Sequence, residues 1–289
     1  MHFNLVVKLL IAAVSAFTLI GYSHAQTNIL LDIDTGRTEG VIIKSPVFLR
    51  AIIHAKPAAI TPGNDIALLF FRGGQGVWRF KTANDIPVYS NRPALQEIND
   101  IYKNAGITRV FVDCPTDELG TVAVRATSCF DGFRSSKTHA DDIRSIISKL
   151  KTEYGYTKFY IMGHSSGTIS SRWLVKNLGA EINGSIHSAA MNVTGAFPPF
   201  GNTFKNFPYD SLIAPQLHVH NEADACPSTP YSTVKAYAGN NLTTVKGGIA
   251  EGEPCGGGHL HSFQGREVVV AKAVTNWILT GQVDKIIGE

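Results

Sequence analysis

The residues most suited to chemistry lie between 158 and 178. Lys158-Phe-Tyr-Ile-Met162 is apolar and aromatic, Gly163-His164-Ser165-Ser166-Gly167 follows at once, and 168–178 reads as a helix. In a strand, Gly-x-Ser-x-Gly, helix arrangement, a sharp turn strains the central serine and makes its hydroxyl project. Side chains at Gly163 and Gly167 would crowd the neighbouring backbone, so glycine suits both positions. The bare five-residue pattern also occurs in ordinary glycine-rich connectors; its flanks single it out here. The N–H of Ser166, opening the helix, points toward the oxygen that becomes negative when Ser165 attacks a carbonyl. A second donor is expected from Gly73-Gly74-Gln75-Gly76, with Gly74 as the choice.

A serine hydroxyl needs an imidazole to take its proton and a carboxylate to orient that imidazole. Downstream, the strand-like Gln216-Leu-His-Val-His220 runs into Asn221-Glu222-Ala223-Asp224-Ala225-Cys226-Pro227, and Asp224 is preferred to Glu222 as the acid by its distance past the strand. Cys255-Gly-Gly-Gly-His259-Leu-His261-Ser-Phe-Gln-Gly265 offers two bases. His261 is favoured because it abuts the entry to the last helix, where a position is easier to fix than in the glycine run; His259 is the alternative. A rival reading makes His218, His220, His259 and His261 metal ligands, since His at i and i+2 of a strand share a face. It lacks an accompanying pattern such as His-Glu-x-x-His. A non-catalytic binding protein of the same fold is a further alternative, against which an intact Ser165, Asp224 and His261 argue.

The elements that would position these groups alternate along the chain. Strands are expected over 28–34, over 40–47 with a continuation through 48–55, and over 65–71, 108–113, 158–162, 184–188 and 216–220. Helices are expected over 93–104, from a cap at Thr138 to about 154, over 168–178 and over 266–279. Strands alternating with helices argue for an α/β protein with a largely parallel sheet. The aromatic connector 191–215, with Phe197, Phe200, Phe204, Phe207 and Tyr209, reads as a lid or pocket wall, or simply as packed loop.

The chain of 289 residues is 44% hydrophobic and 17% charged, which fits one globular domain over 26–289 and excludes disordered, collagenous and coiled-coil classes. A formal charge of +3 without a basic run argues against nucleic acid as a partner. Residues 1–25 read as a secretory signal peptide: Lys8, an apolar run over 9–20 too short to span a bilayer, then Ser23-His24-Ala25. No membrane span is expected after it, and the protein is expected to be secreted or periplasmic. Export favours disulfides among Cys114, Cys129, Cys226 and Cys255. Three connectivities are open, of which pairing of chain neighbours, Cys114 with Cys129 and Cys226 with Cys255, is the simplest. Asn192 and Asn241 match the N-glycosylation pattern, from which nothing is drawn.

The order Ser165, Asp224, His261 and the strand-flanked Gly-His-Ser-Ser-Gly resemble the α/β-hydrolase superfamily over nearly all of 26–289. Its members share that triad order on a mostly parallel eight-stranded sheet flanked by helices on both faces. Gly73-Gly74-Gln75-Gly76, Phe111-Val-Asp113-Cys-Pro-Thr-Asp117 and His261-Ser-Phe-Gln-Gly265 look most like exported dienelactone-hydrolase-like proteins. Dienelactone hydrolase uses a cysteine nucleophile where this chain has Ser165, so lactone specificity does not carry over. The His-Gly-Gly-Gly motif of lipase-type esterases is absent, which argues against bulky-alcohol esters. The resemblance implies acid and base loops side by side, tied by Cys226 and Cys255. The combined expectation is an exported serine hydrolase acting on a small-molecule or acyl substrate, a carboxylic ester first, with peptidase and thioesterase as alternatives. It implies no metal or organic cofactor.

Overall fold

The computed structural model describes residues 27–85, 93–120, 129, 131–193 and 207–288. The expected signal segment therefore lies outside the described residues, as do Phe197, Phe200 and Phe204.

Nine strands form one sheet in the order β1-β2-β4-β3-β5-β6-β7-β8-β9. The antiparallel pair β1 (Thr27–Glu39) and β2 (Ser45–Lys56) forms one edge, and β2 also runs antiparallel to β4 (Ile107–Val112). From there β3 (Ile66–Phe71), β5 (Lys158–His164), β6 (Gly184–Ser188), β7 (Gln216–Asn221), β8 (Leu242–Val245) and β9 (Ile286–Ile287) are all parallel. The centre is buried on both faces, which is why β3 is the unbroken apolar run Ile-Ala-Leu-Leu-Phe-Phe rather than an alternating one.

Helices cover both faces. On one, α3 (Lys137–Tyr154) and α4 (Gly167–Leu178) bury Ile143, Ile146, Ile147, Leu150 and Leu174 against Leu69, Val110 and Ile161. On the other, α1 (Pro93–Asn104) and α6 (Glu267–Thr280) pack Ile98, Val270, Val274 and Trp277 against Leu68, Met162 and Leu217. Each such side chain contributes roughly 1.5–3 kcal/mol of burial. The short α2 (Asp131–Arg134) precedes α3, and α5 (Tyr231–Ala238) lies between β7 and β8.

Several boundaries differ from expectation. The strand expected over 40–47 begins only at Ser45, because Gly40 turns the chain at φ 95° and Val41, Ile42 and Ile43 stand exposed at the hairpin tip. Its continuation through 48–55 is part of the same strand. Ser136, not Thr138, caps α3: its hydroxyl accepts the His139 N–H at 3.1 Å. Gly155, at φ 81°, ends that helix. The resemblance implies eight strands, of which seven are placed in the sequence; the sheet has nine, the two not placed being β8 and the two-residue β9. Among the described residues no helix is long and apolar enough to cross a membrane.

Cys114 pairs with Cys129 and Cys226 with Cys255, at Cα separations of 5.9 and 4.7 Å, the neighbour pairing of the three. The second bridge closes 29 residues and joins the loop after β7 to the loop before α6. Loop closure on that scale is worth roughly 3–4 kcal/mol. A Cys226→Ser, Cys255→Ser double variant should lose about that much in urea unfolding, with an m-value that rises because the unlinked unfolded chain is less compact; an unmoved urea midpoint would contradict the staple.

Candidate active site

The turn from β5 into α4 sets the site. Ser165 has φ 55°, a left-handed conformation costly for a residue with a Cβ. The glycines around it answer to contact: a Cβ on Gly163 would lie 2.3 Å from the Gly167 carbonyl oxygen, and one on Gly167 would lie 2.2 Å from that of Phe71. The Ser165 N–H donates to the Ser188 carbonyl at 2.9 Å, and the Thr168 hydroxyl donates to the Ser165 carbonyl at 2.6 Å. Ser165 remains partly exposed.

The loop after β3 passes directly over it. A Cβ on Gly73 would come within 2.7 Å of Ser165 Cβ and 3.3 Å of its Oγ, so only glycine lets this backbone approach the serine so closely. The Ser166 hydroxyl donates to the Gly74 carbonyl at 2.7 Å, and Gly74 turns at φ 63°. Both expected N–H donors, those of Ser166 and Gly74, thus belong to segments bonded to each other beside Ser165. Farther along, the buried Asp113 carboxylate accepts the N–H groups of Trp78, Phe80 and Cys114 at 2.8–3.0 Å. Burial pushes its pKa up despite those donors.

Asp224 and His261 meet. His261 Nδ1 lies 3.0 Å from Asp224 Oδ2, with both side chains buried. This contact favours a proton on Nδ1 and a free lone pair on Nε2. Two further groups reach the same carboxylate oxygen, and neither was expected from sequence. The Thr229 hydroxyl donates to it at 2.8 Å, and His220 Nε2 lies 3.2 Å away. His220 Nε2 also faces the Thr229 carbonyl at 2.9 Å, so that nitrogen carries the proton. The Cys226 N–H donates to Asp224 Oδ1 at 2.9 Å. Burial alone would raise the Asp224 pKa, but the hydrogen bonds from His220 and His261 outweigh it and hold the carboxyl well below its ordinary 3.8.

The alternative candidates are placed differently. The Glu222 side chain is exposed. His259 is buried with no partner on Nδ1 among the described residues. Of the four imidazoles of the metal reading, His220 and His261 both turn to Asp224, whereas His218 packs against His187, Tyr209 and Tyr237. Among the described residues no group of three or more His, Cys, Asp and Glu side chains is placed to hold a metal. Of the aromatic connector, Phe207 packs against Trp173 and Tyr209 stacks on Tyr237.

No hydrogen bond joins Ser165 Oγ to His261 among the described residues; such contacts often tighten only when substrate binds. His164 bridges the two segments: it adjoins Ser165, its ring centroid lies 5.1 Å from that of His261, and its Nδ1 meets Ser188 Oγ at 3.1 Å. Burial, then the neighbouring His261, pushes the His164 pKa down to about 3, so it stays neutral. Its role was not visible in the sequence, where it is the variable position of the serine pattern.

This sheet order, the covering helices and the strand-turn-helix at Ser165 make an α/β-hydrolase fold. Solved structures similar to the chain carry the same fold. An esterase from Pyrococcus furiosus matches with a TM-score of 0.51 at 12% identity, over 87% of this chain and 92% of that one. Dienelactone hydrolase from Anabaena variabilis matches at 0.50 and 13%, over 89% and 98%. Est1E from Butyrivibrio proteoclasticus matches at 0.50 and 13%, over 88% and 98%. No family model matches the sequence, and no curated protein does.

A carboxyl whose folded pKa is depressed stabilises the fold above its ordinary value and loses that contribution as pH falls toward the folded one. Asp224→Asn should therefore lower the thermal midpoint most at pH 5 and above, by an amount equivalent to about 1–3 kcal/mol. The gap to the parent protein should narrow below about pH 4, and a gap unchanged between pH 6 and pH 3 would contradict this environment for Asp224.

Proposed function

We propose that the protein is an exported serine hydrolase acting on carboxylic esters. The observation that carries the reading is the strained Ser165, next in the chain to His164, whose ring packs on the His261 of a buried His261–Asp224 pair, on a fold shared with hydrolases and esterases. Ser165 Oγ attacks the ester carbonyl carbon while His261 Nε2 takes its proton. The N–H groups of Ser166 and Gly74 hold the resulting oxyanion. Collapse breaks the bond to the alcohol oxygen, which leaves with the proton from His261, and an acyl-Ser165 remains. Water, deprotonated by His261, attacks the acyl carbon, and the acid leaves as Ser165 recovers its proton.

Asp224 keeps His261 in the Nδ1–H form and offsets its charge when protonated. Thr229 and His220 keep Asp224 ionised and fixed. The signal-like segment 1–25 and the two disulfides support export to an oxidising compartment.

Hydrolysis of a short-chain p-nitrophenyl ester by the purified protein tests this. Ser165→Ala and His261→Ala should each lower kcat on the order of 10⁴-fold or more, Asp224→Asn by less, and His259→Ala little. Turnover confined to amides would move the assignment to a peptidase, and full activity in Ser165→Ala would overturn it.

A further inference from the structure

A cavity of about 270 Å³ lies between the sheet and the helices α1 and α6, walled by Leu68, Phe70, Phe111, Ile98, Met162 and Val270. At ~30 Å³ apiece, it has room for roughly nine water-sized groups. One end touches the candidate site: His164, Ser188 and Phe263 line it, and the His164 ring packs on His261. The other end reaches Asn99, Tyr102 and Arg109. Arg109 lies three residues before the end of β4, roughly 10 Å along the strand.

Among the described residues Arg109 has no counter-charge. Its Nη2 donates to Asn99 Oδ1 and approaches His54 Nδ1 at 3.3 Å, and the guanidinium carbon lies 5.2 Å from the Tyr102 ring centroid and 5.4 Å from that of Phe111. All of these partners are uncharged, since burial, then Arg109, pushes the His54 pKa down to about 4. Among the described residues no carboxylate forms an ion pair with Arg109, and its Nε and Nη1 have no hydrogen-bond partner. Apart from Glu289, every Asp and Glu of the chain is among those described. A second cavity, of about 220 Å³, reaches Asn99, Tyr102 and Arg109 as well and brings Lys103 to the same end. The one acidic residue among the described linings of the two cavities, Glu267, stands at the start of α6, next to the catalytic loop.

We infer that this cavity binds a free amphipathic monocarboxylate, its chain among the aliphatic and aromatic walls and its carboxylate on Nη1 of Arg109. An apolar slot closed by an unpaired guanidinium matches that ligand in both shape and charge. Through β3, Arg109 stands level with Tyr160, four residues and roughly 13 Å along the strand from His164, a span within which an eight-carbon acid fits. Such an acid belongs to the product class of the ester hydrolysis proposed above, and in that respect its meaning rests on that reading. The binding does not, because it requires no turnover.

Calorimetric titration of the full-length Ser165→Ala protein with sodium octanoate, beside 1-octanol, tests the inference without hydrolysis. Octanoate should bind at one site at least tenfold tighter than 1-octanol, and Arg109→Gln should erase that preference while leaving 1-octanol binding unchanged. Equal affinity for acid and alcohol, no octanoate binding, or an undiminished preference in a folded Arg109→Gln protein would overturn it. Should Arg109→Gln fail to fold, the comparison of acid with alcohol on the arginine-bearing protein decides alone. Labelling of Ser165 by an ester-like probe is read separately, so the two proposals fail independently.

Discussion

The turn at Ser165 holds a side-chain-bearing residue at φ 55°, a conformation that costs on the order of 1–3 kcal/mol and persists only where the surroundings over-determine it. Here they do so from every side. β5 feeds the turn from the middle of the sheet, between β3 and β6, and its residues pair with both neighbours up to the turn. The Ser165 N–H is tied to Ser188 and its carbonyl to Thr168. Glycines at 163 and 167 let α4 pack against the strand ends at distances no side chain would allow. The strain and the projection of the hydroxyl are one fact: the serine stands clear because the backbone cannot relax.

The same logic extends to the shell around it. The loop over Ser165 is anchored by the Ser166 hydroxyl on Gly74 and, farther along, by the Asp113 carboxylate and by Arg134. The buried Arg134 donates to the Cys129 carbonyl and to Ser170 on α4, and it fills the space a side chain on Gly76 would need. On the opposite side Asp224 is fixed by donors from three different segments, His220 at the end of β7, Thr229 within the disulfide-bounded loop and His261 before α6. Buried polar groups satisfied this fully rigidify what they touch.

Much of this was legible in the sequence because its signals are local. The helix over 93–104 stands as expected, and the strand expected over 65–71 is found at Ile66–Phe71, since a proline-led start and a compact apolar run are read without knowing the fold. The serine turn was legible because the glycine spacing and the elements around it occur together in one short stretch. Val41-Ile42-Ile43 misled for the same local reason: an apolar trio reads as strand, while Gly40 turns it outward at a hairpin tip. The four-residue β8 and two-residue β9 carry too little pattern to announce themselves. His220 and Thr229 were out of reach in a different way, since their bearing on Asp224 is a matter of distance in space, and His220 looked instead like half of a metal-binding pair. The cavity against α1 and α6 likewise arises only when residues from 68 to 271 come together.

An activated serine is the claim on which the functional reading stands, and covalent labelling reads it without knowledge of the substrate. The purified protein and its Ser165→Ala variant would be treated with a fluorophosphonate probe, and the modified peptide located by mass spectrometry. A single adduct on Ser165, absent from the variant, is the predicted result. A folded protein that takes up no label, or takes it up equally without Ser165, would contradict it.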